Sequence, residues 1–123
     1  MKILIADDDR VLTHLLASRL RARGWEVEVA HDAMQAVMFA LKSPPDVIAL
    51  DLGMPAGTGF EVLKKLKLSV KTSEVPVVVV SASIAPDAEA KAAELGAVAF
   101  LHKPVDPDAM HAALLQVLRV PAA

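Results

Sequence analysis

Val77-Val78-Val79-Val80-Ser81 decides the fold. Four consecutive β-branched residues favour an extended strand, and the lack of polar alternation means that both faces of this strand are buried. A strand covered on both sides belongs in the middle of a parallel sheet with helices above and below.

Working outward, three further apolar runs of similar length read as strands: Val47–Asp51 (VIALD), Lys2–Ala6 (KILIA) and Ala97–Leu101 (AVAFL). Trp25–Ala30 alternates Trp25, Val27 and Val29 with Glu26 and Glu28, the pattern of a half-exposed strand. Between these runs the apolar period changes to that of a helix. Arg10–Arg23 carries Val11, Leu12, Leu15, Leu16 and Leu20 behind an N-cap at Asp9. Asp32 with Gln35 reads as a capping box ahead of Ala36, Val37, Ala40 and Leu41, and Thr58 with Glu61 as another ahead of Leu63 and Leu66. An Ala-rich helix is predicted over Pro86–Leu95, and Asp106-Pro107 opens a last helix with Met110, Ala113, Leu114, Val117 and Leu118 inward. Gly24 and Gly96 stand where helices should end.

Five strands alternating with five helices give an α/β protein with a parallel sheet. Right-handed crossovers leave few topologies, of which the flavodoxin-like order 2-1-3-4-5 is one. The length of 123 residues suits one domain over 1–123, and 54% apolar residues are enough for a core. Lys+Arg of 13 against Asp+Glu of 15 gives a net charge of −2 and, with 3% aromatic residues, argues against direct nucleic-acid binding. The absence of Cys excludes disulfides, thiolate metal sites and cysteine nucleophiles. Lys2–Ala6 is too short for a secretion signal, and no apolar run approaches the ~20 residues of a membrane span. A cytoplasmic protein with no membrane association is expected.

In such sheets, ligands bind beyond the carboxyl ends of the strands. Asp7-Asp8 lies there after the first strand, Asp51 after the third, Ser81 at the fourth and Lys103 after the fifth. Three carboxylates brought together repel unless cations join them. Lys103 supplies one positive charge and a divalent ion would supply two. An all-oxygen donor set suits Mg²⁺, and the combination suits an anionic oxygen ligand such as a phosphoryl group. Asp51, on a central strand and before a Gly-rich loop, is the best-placed nucleophile.

These residues carry a resemblance that spans the chain. Ile3-Leu4-Ile5-Ala6-Asp7-Asp8-Asp9, Asp51-Leu52-Gly53-Met54-Pro55-Ala56-Gly57-Thr58-Gly59, Val78-Val79-Val80-Ser81-Ala82, and Gly96-Ala97 through Phe100-Leu101-His102-Lys103-Pro104 resemble, in order, the motifs of the receiver domain of two-component response regulators. The resemblance implies the 2-1-3-4-5 fold and a phospho-accepting switch rather than a dedicated enzyme, with only intrinsic self-phosphorylation and self-dephosphorylation chemistry. It implies that Asp51 accepts phosphoryl from a sensor histidine kinase or a histidine phosphotransfer protein. Asp8, Asp51 and the backbone carbonyl of Gly53 would hold Mg²⁺ (with Mn²⁺ as a substitute), and Asp7 would act through metal-bound water. Lys103 would pair with Asp51, Ser81 would bind a phosphoryl oxygen, Phe100 would be the switch aromatic, and the Lys103-Pro104 bond would be cis. Phosphorylation would repack the surface of helix 4, strand 5 and helix 5 toward a downstream protein partner, an output domain or a second copy, the chain otherwise being a monomer.

Ser81 stands where Thr is commoner, Phe100 where Tyr is, Thr58 where Asp often is and Val105 where Phe is usual. None of these removes a group the chemistry needs. A haloacid dehalogenase-like phosphatase would want a second acid two residues after its nucleophile, where Gly53 stands. A flavin carrier would want hydroxyls where Asp7-Asp8-Asp9 stands, and a degenerate receiver serving only as a binding module would not need every acid and Lys103. The basic residues Lys64, Lys65, Lys67 and Lys71 read as a solvated helix face, and the four His as surface residues.

Overall fold

The computed structural model describes residues 1–54, 58–82 and 85–119; Pro55-Ala56-Gly57 of the Gly-rich loop and the chain end from Val120 lie outside the described residues. In chain order the elements are β1 (Lys2–Ala6), α1 (Arg10–Ala22), β2 (Glu26–Ala30), α2 (Ala33–Lys42), β3 (Val47–Leu50), α3 (Gly59–Leu68), β4 (Val77–Ser81), α4 (Ala88–Glu94), β5 (Ala99–His102) and α5 (Pro107–Arg119). All strand pairs are parallel and the order is β2-β1-β3-β4-β5, the flavodoxin-like arrangement.

The alternation of the strands explains the two layers. Ile3 and Ile5 of β1, with Val47, Ala49, Val78 and Val80, pack against Leu16 and Leu20 of α1 and Met110 and Leu114 of α5. The intervening Leu4, Ala6, Ile48 and Leu50 face the other way, against Ala36 and Ala40 of α2 and Val62, Leu63 and Leu66 of α3. A smaller cluster of Leu52, Val79, Ala88 and Ala92, joined by Phe60 and Phe100, sits under α4. Every residue of β4 is buried, as the valine run requires.

Helix starts follow their side-chain caps. Asp9 accepts from Leu12 N at 3.0 Å, Asp32 from Gln35 N at 2.8 Å, Thr58 from Glu61 N at 3.2 Å and Asp106 from Ala109 N at 3.0 Å. Gln35 does not close the expected box on Asp32; its side-chain oxygen accepts from the amide of His31 instead, at 2.9 Å.

Two strands begin later than the sequence predicts, for one shared reason. Gly24 and Gly96 adopt φ of +91° and +108°, and the residue after each turns back to close the helix before it. The Trp25 amide donates to Leu20 O at 3.1 Å, and that of Ala97 to Ala92 O at 2.9 Å. Trp25 and Ala97 therefore finish helices, and β2 and β5 start at Glu26 and Ala99. Lys67 is also not a solvated residue. It is half-buried, and its Nζ donates to the carbonyls of Val75 at 2.9 Å and Ser73 at 3.3 Å, closing the α3–β4 connection. Burial pushes its ammonium below the ordinary value, partly offset by Glu74.

Candidate functional site

The parallel sheet delivers the carboxyl ends of β1, β3, β4 and β5 to one rim, and the expected residues meet there. β1 ends at Ala6 and β3 at Leu50, so Asp7 and Asp51 are the first residues past two adjacent central strands; Asp51 N donates to Ala6 O at 2.9 Å. Carboxylate oxygens of Asp7, Asp8 and Asp51 lie within 4.8 Å of one another, with Asp7 and Asp51 buried and Asp8 exposed. Three oxygen donors at that separation fit a hard divalent cation that keeps water in its remaining positions.

Lys103 reaches into the cluster from the end of β5, where its amide donates to Ser81 O at 3.0 Å. Its Nζ lies 2.7 Å from Asp7 Oδ2 and 3.6 Å from Asp51 Oδ2, so its shorter ion pair is with Asp7 and not with Asp51, the partner the resemblance implied. The other oxygen of Asp7 accepts from Asp9 N at 2.9 Å, which fixes that carboxylate at both ends. Asp51 is held less tightly, accepting from Gly53 N at 3.3 Å. The Lys103-Pro104 bond is cis.

The charges are unevenly compensated. Burial, and then the charge of Asp7, raise the Asp51 carboxyl above its ordinary value near 3.8; the Gly53 amide and Lys103 only partly oppose them. For Lys103, burial acts to lower the pKa, but the hydrogen bond to Asp7 and the charges of Asp51 and Asp7 prevail and raise it. Three formal negative charges against one ammonium leave a deficit of two, which a divalent cation would balance.

An open hollow of about 350 Å³ lies over Asp51, lined by Leu52, Gly53, Phe60, Ser81, Ala82 and Lys103. It brings Ser81 and Lys103 to the same opening as Asp51. Phe100 lies elsewhere: its ring packs under α4 and stands 4.9 Å from the His102 ring. Gly53 presents open space, since an added Cβ would approach only the Asp51 carboxylate, at 3.9 Å.

Gly59 explains how the loop is held. A Cβ there would stand 2.4 Å from Leu52 Cα and 2.6 Å from Asp51 O, so the first turn of α3 rests directly on the backbone that presents Asp51. The Gly59 amide donates to Leu52 O at 3.0 Å. The capping pattern around Thr58 located the helix start, but the close approach comes from the tertiary fold. His31 is not the surface residue that its sequence suggests: it is half-buried, with Nδ1 donating to the Asp7 carbonyl at 3.1 Å.

This sheet order, with three acids, a lysine and a hydroxyl at its carboxyl rim, defines a doubly wound α/β protein with a charged site at its strand ends. Residues 3–115 match the family model of the response regulator receiver domain, and the chain belongs to that family of two-component systems. It is 38% identical over 105 residues to the response regulator PleD of Caulobacter vibrioides, a match covering 85% of this chain and 23% of that protein. It is 37% identical over 118 residues to the transcriptional regulatory protein CpxR of Escherichia coli, covering 96% and 49%. The chain thus spans between about a quarter and a half of the length of these relatives. Among solved structures it is similar to the chemotaxis response regulator CheY4 of Vibrio cholerae, with a TM-score of 0.88 at 30% identity over 94% of this chain and 97% of that one. The non-phosphorylated HemR receiver domain of Leptospira biflexa superposes with a TM-score of 0.89 at 26% identity, covering 99% and 97%. No helix among the described residues is long and apolar enough to cross a membrane.

Proposed function

We propose that residues 1–123 act as a single receiver domain that takes a phosphoryl group onto Asp51 in a Mg²⁺-dependent reaction, with Mn²⁺ able to substitute. The observation that carries this reading is the convergence of Asp7, Asp8, Asp51 and Lys103 beside an open hollow that Ser81 also lines. The donor is a phosphohistidine on a sensor histidine kinase or a histidine phosphotransfer protein. An Asp51 carboxylate oxygen attacks phosphorus, the P–N bond breaks with its electron pair returning to the imidazole, and an acyl phosphate remains on Asp51.

Asp8, Asp51 and the Gly53 carbonyl would hold the ion directly and Asp7 through water, the ion supplying charge neutralisation for the incoming phosphoryl oxygens. Lys103, drawn now to Asp7, swings its ammonium to a phosphoryl oxygen once Asp51 carries the acyl phosphate, and the Ser81 hydroxyl takes another. Phosphoryl loss follows attack by water, so the protein is a switch and not a dedicated enzyme. The new charge-assisted hydrogen bonds to Ser81 and Lys103 favour one arrangement of β4, β5 and the Phe100 ring, which repacks the α4–β5–α5 face for a downstream protein or output domain. The domain acts in the cytoplasm without contacting nucleic acid or membrane itself, as a monomer or a phosphorylation-dependent homodimer.

The test is mass spectrometry of the intact and digested protein after exposure to acetyl phosphate. A single phosphoryl adduct on the peptide containing Asp51 is expected with Mg²⁺, and none in Asp51→Asn or in excess chelator. An adduct that survives either control contradicts the reading.

A further inference from the structure

We propose that the hollow between α1 and the edge strand β2 is a binding site for a small phosphate-bearing anion, separate from the carboxylate rim. It encloses about 230 Å³ and is lined by Arg10, Thr13, His14 and Arg21 of α1, with Val29 of β2 and His31 just beyond it. Arg10, His14 and Arg21 are four and seven residues apart and share one helix face, while the topology brings Val29 and His31 opposite them. Two guanidinium and two imidazole groups thus border one concavity in a chain of net charge −2.

Among the described residues, no acid at the site neutralises the two guanidinium groups. No carboxylate of the described residues lines the hollow. Val27 packs with the α1 layer and Val29 lines the hollow, so strand alternation turns Glu26 and Glu28 to the opposite face, where Glu28 lies 3.7 Å from Lys2 Nζ. The neighbouring acids Asp9 and Asp32 have their side chains on the helix amides of Leu12 and Gln35. Among the described residues neither Arg10 nor Arg21 forms an ion pair, whereas Arg23, just past the end of α1, pairs with Asp108.

Two of the four groups are already positioned. An Arg21 Nη donates to Val27 O at 3.0 Å, and His31 Nδ1 donates to the Asp7 carbonyl. Asp7 meets His31 through its backbone carbonyl, and its carboxylate oxygens are taken by Asp9 N and Lys103. A planar guanidinium matches phosphate geometry with two parallel hydrogen bonds, and positive groups around a concavity raise the local concentration of anions. The volume lies below the ~300 Å³ at which pockets for drug-sized ligands begin, which selects a free phosphate or the phosphate end of a small ester.

The test is NMR titration of the full chain in excess chelator, following backbone amides and arginine side-chain resonances. The probes are inorganic phosphate, adenosine 5′-monophosphate and chloride at matched ionic strength. Saturable shifts at Arg10, His14, Arg21, Val29 and His31 are expected with a phosphate-bearing probe and not with chloride. Arg10→Gln/Arg21→Gln should weaken them by about tenfold or more, as loss of charged hydrogen bonds requires, and Arg10→Gln alone serves if the pair disturbs folding. Tighter binding of the nucleotide identifies a phosphomonoester as occupant, and tighter binding of inorganic phosphate identifies the free ion; either supports the site. Equal response to chloride, shifts unaltered in the variants, or saturable shifts confined to Gly53, Ser81 and Lys103 would overturn it.

Discussion

The acids of the site and the residues that answer them stand on differently built halves of the sheet. Asp7 and Asp51 extend from β1 and β3, which are buried almost throughout and flanked by α1, α2 and α3, each begun by a side-chain cap. Lys103 extends from β5, whose residues are only partly buried or exposed, beside α4, which has seven residues and no side-chain cap bond. α4 meets the sheet through the small residues Ala88 and Ala92, its Lys91 ammonium sits 4.4 Å from the Phe60 ring centre, and a hollow of about 160 Å³ is lined by α4 and Ala97–Phe100. Asp51, the proposed nucleophile, is held by a packed frame. Ser81 closes the fully buried β4, whereas Lys103 and the α4–β5 face beside it sit where repacking costs little, since few interlocked side chains must be displaced.

The largest difference is expected from core truncation. Leu63→Ala, in the fully buried layer under α2 and α3, should cost about 3 kcal/mol in urea denaturation, whereas Phe100→Leu should cost less than about 1.5 kcal/mol. Equal losses would erase the distinction between the halves. Gly59→Ala sharpens it, because a Cβ cannot fit against Leu52 and Asp51 without moving backbone. A loss of about 2 kcal/mol is expected, together with slower phosphoryl uptake from acetyl phosphate.

Next comes the charge of the site itself. Since burial and Asp7 raise the Asp51 pKa, the folded protein holds that proton more tightly than the unfolded chain does. Its ionisation therefore removes stability as pH rises from about 4 through the raised value, with the penalty complete once the pH exceeds that value. In excess chelator at pH 7, Asp51→Asn should be more stable than the wild type by on the order of 1 kcal/mol. Millimolar Mg²⁺ should raise the melting temperature of the wild type and leave that of the variant nearly unchanged. A variant less stable than wild type in chelator would show that Lys103 already compensates Asp51. The smallest effect concerns caps: Asp32→Ala should cost about 1 kcal/mol and Asp87→Ala less than about 0.5 kcal/mol, because only Asp32 caps its helix through its side chain.

The same contrast governs what could be read in the sequence. β1, β3 and β4 announced themselves as unbroken apolar runs because they are buried on both faces, and the acids beyond them could be placed by the end-of-strand rule alone. Trp25 and Ala97 misled because an apolar residue after a left-handed glycine looks like a strand start while its amide closes the preceding helix. Lys67 looked like one of a row of solvated lysines, since its partners are backbone carbonyls that carry no sequence signal. The preference of Lys103 for Asp7 over Asp51 is a matter of about an ångström in a shared cluster, which residue types do not encode. Gly59 showed in the motif, but only the packing of α3 on Leu52 shows why a side chain is excluded.

The most direct test of a rigid nucleophile coupled to a yielding face is amide NMR with and without beryllofluoride, a phosphoryl mimic, in Mg²⁺. The account predicts large shifts from Ser81 across α4 and β5 into α5, small shifts in α1 and α2, and none anywhere in Asp51→Asn. Shifts confined to Asp51 and its immediate neighbours, or equal in all five helices, would contradict it.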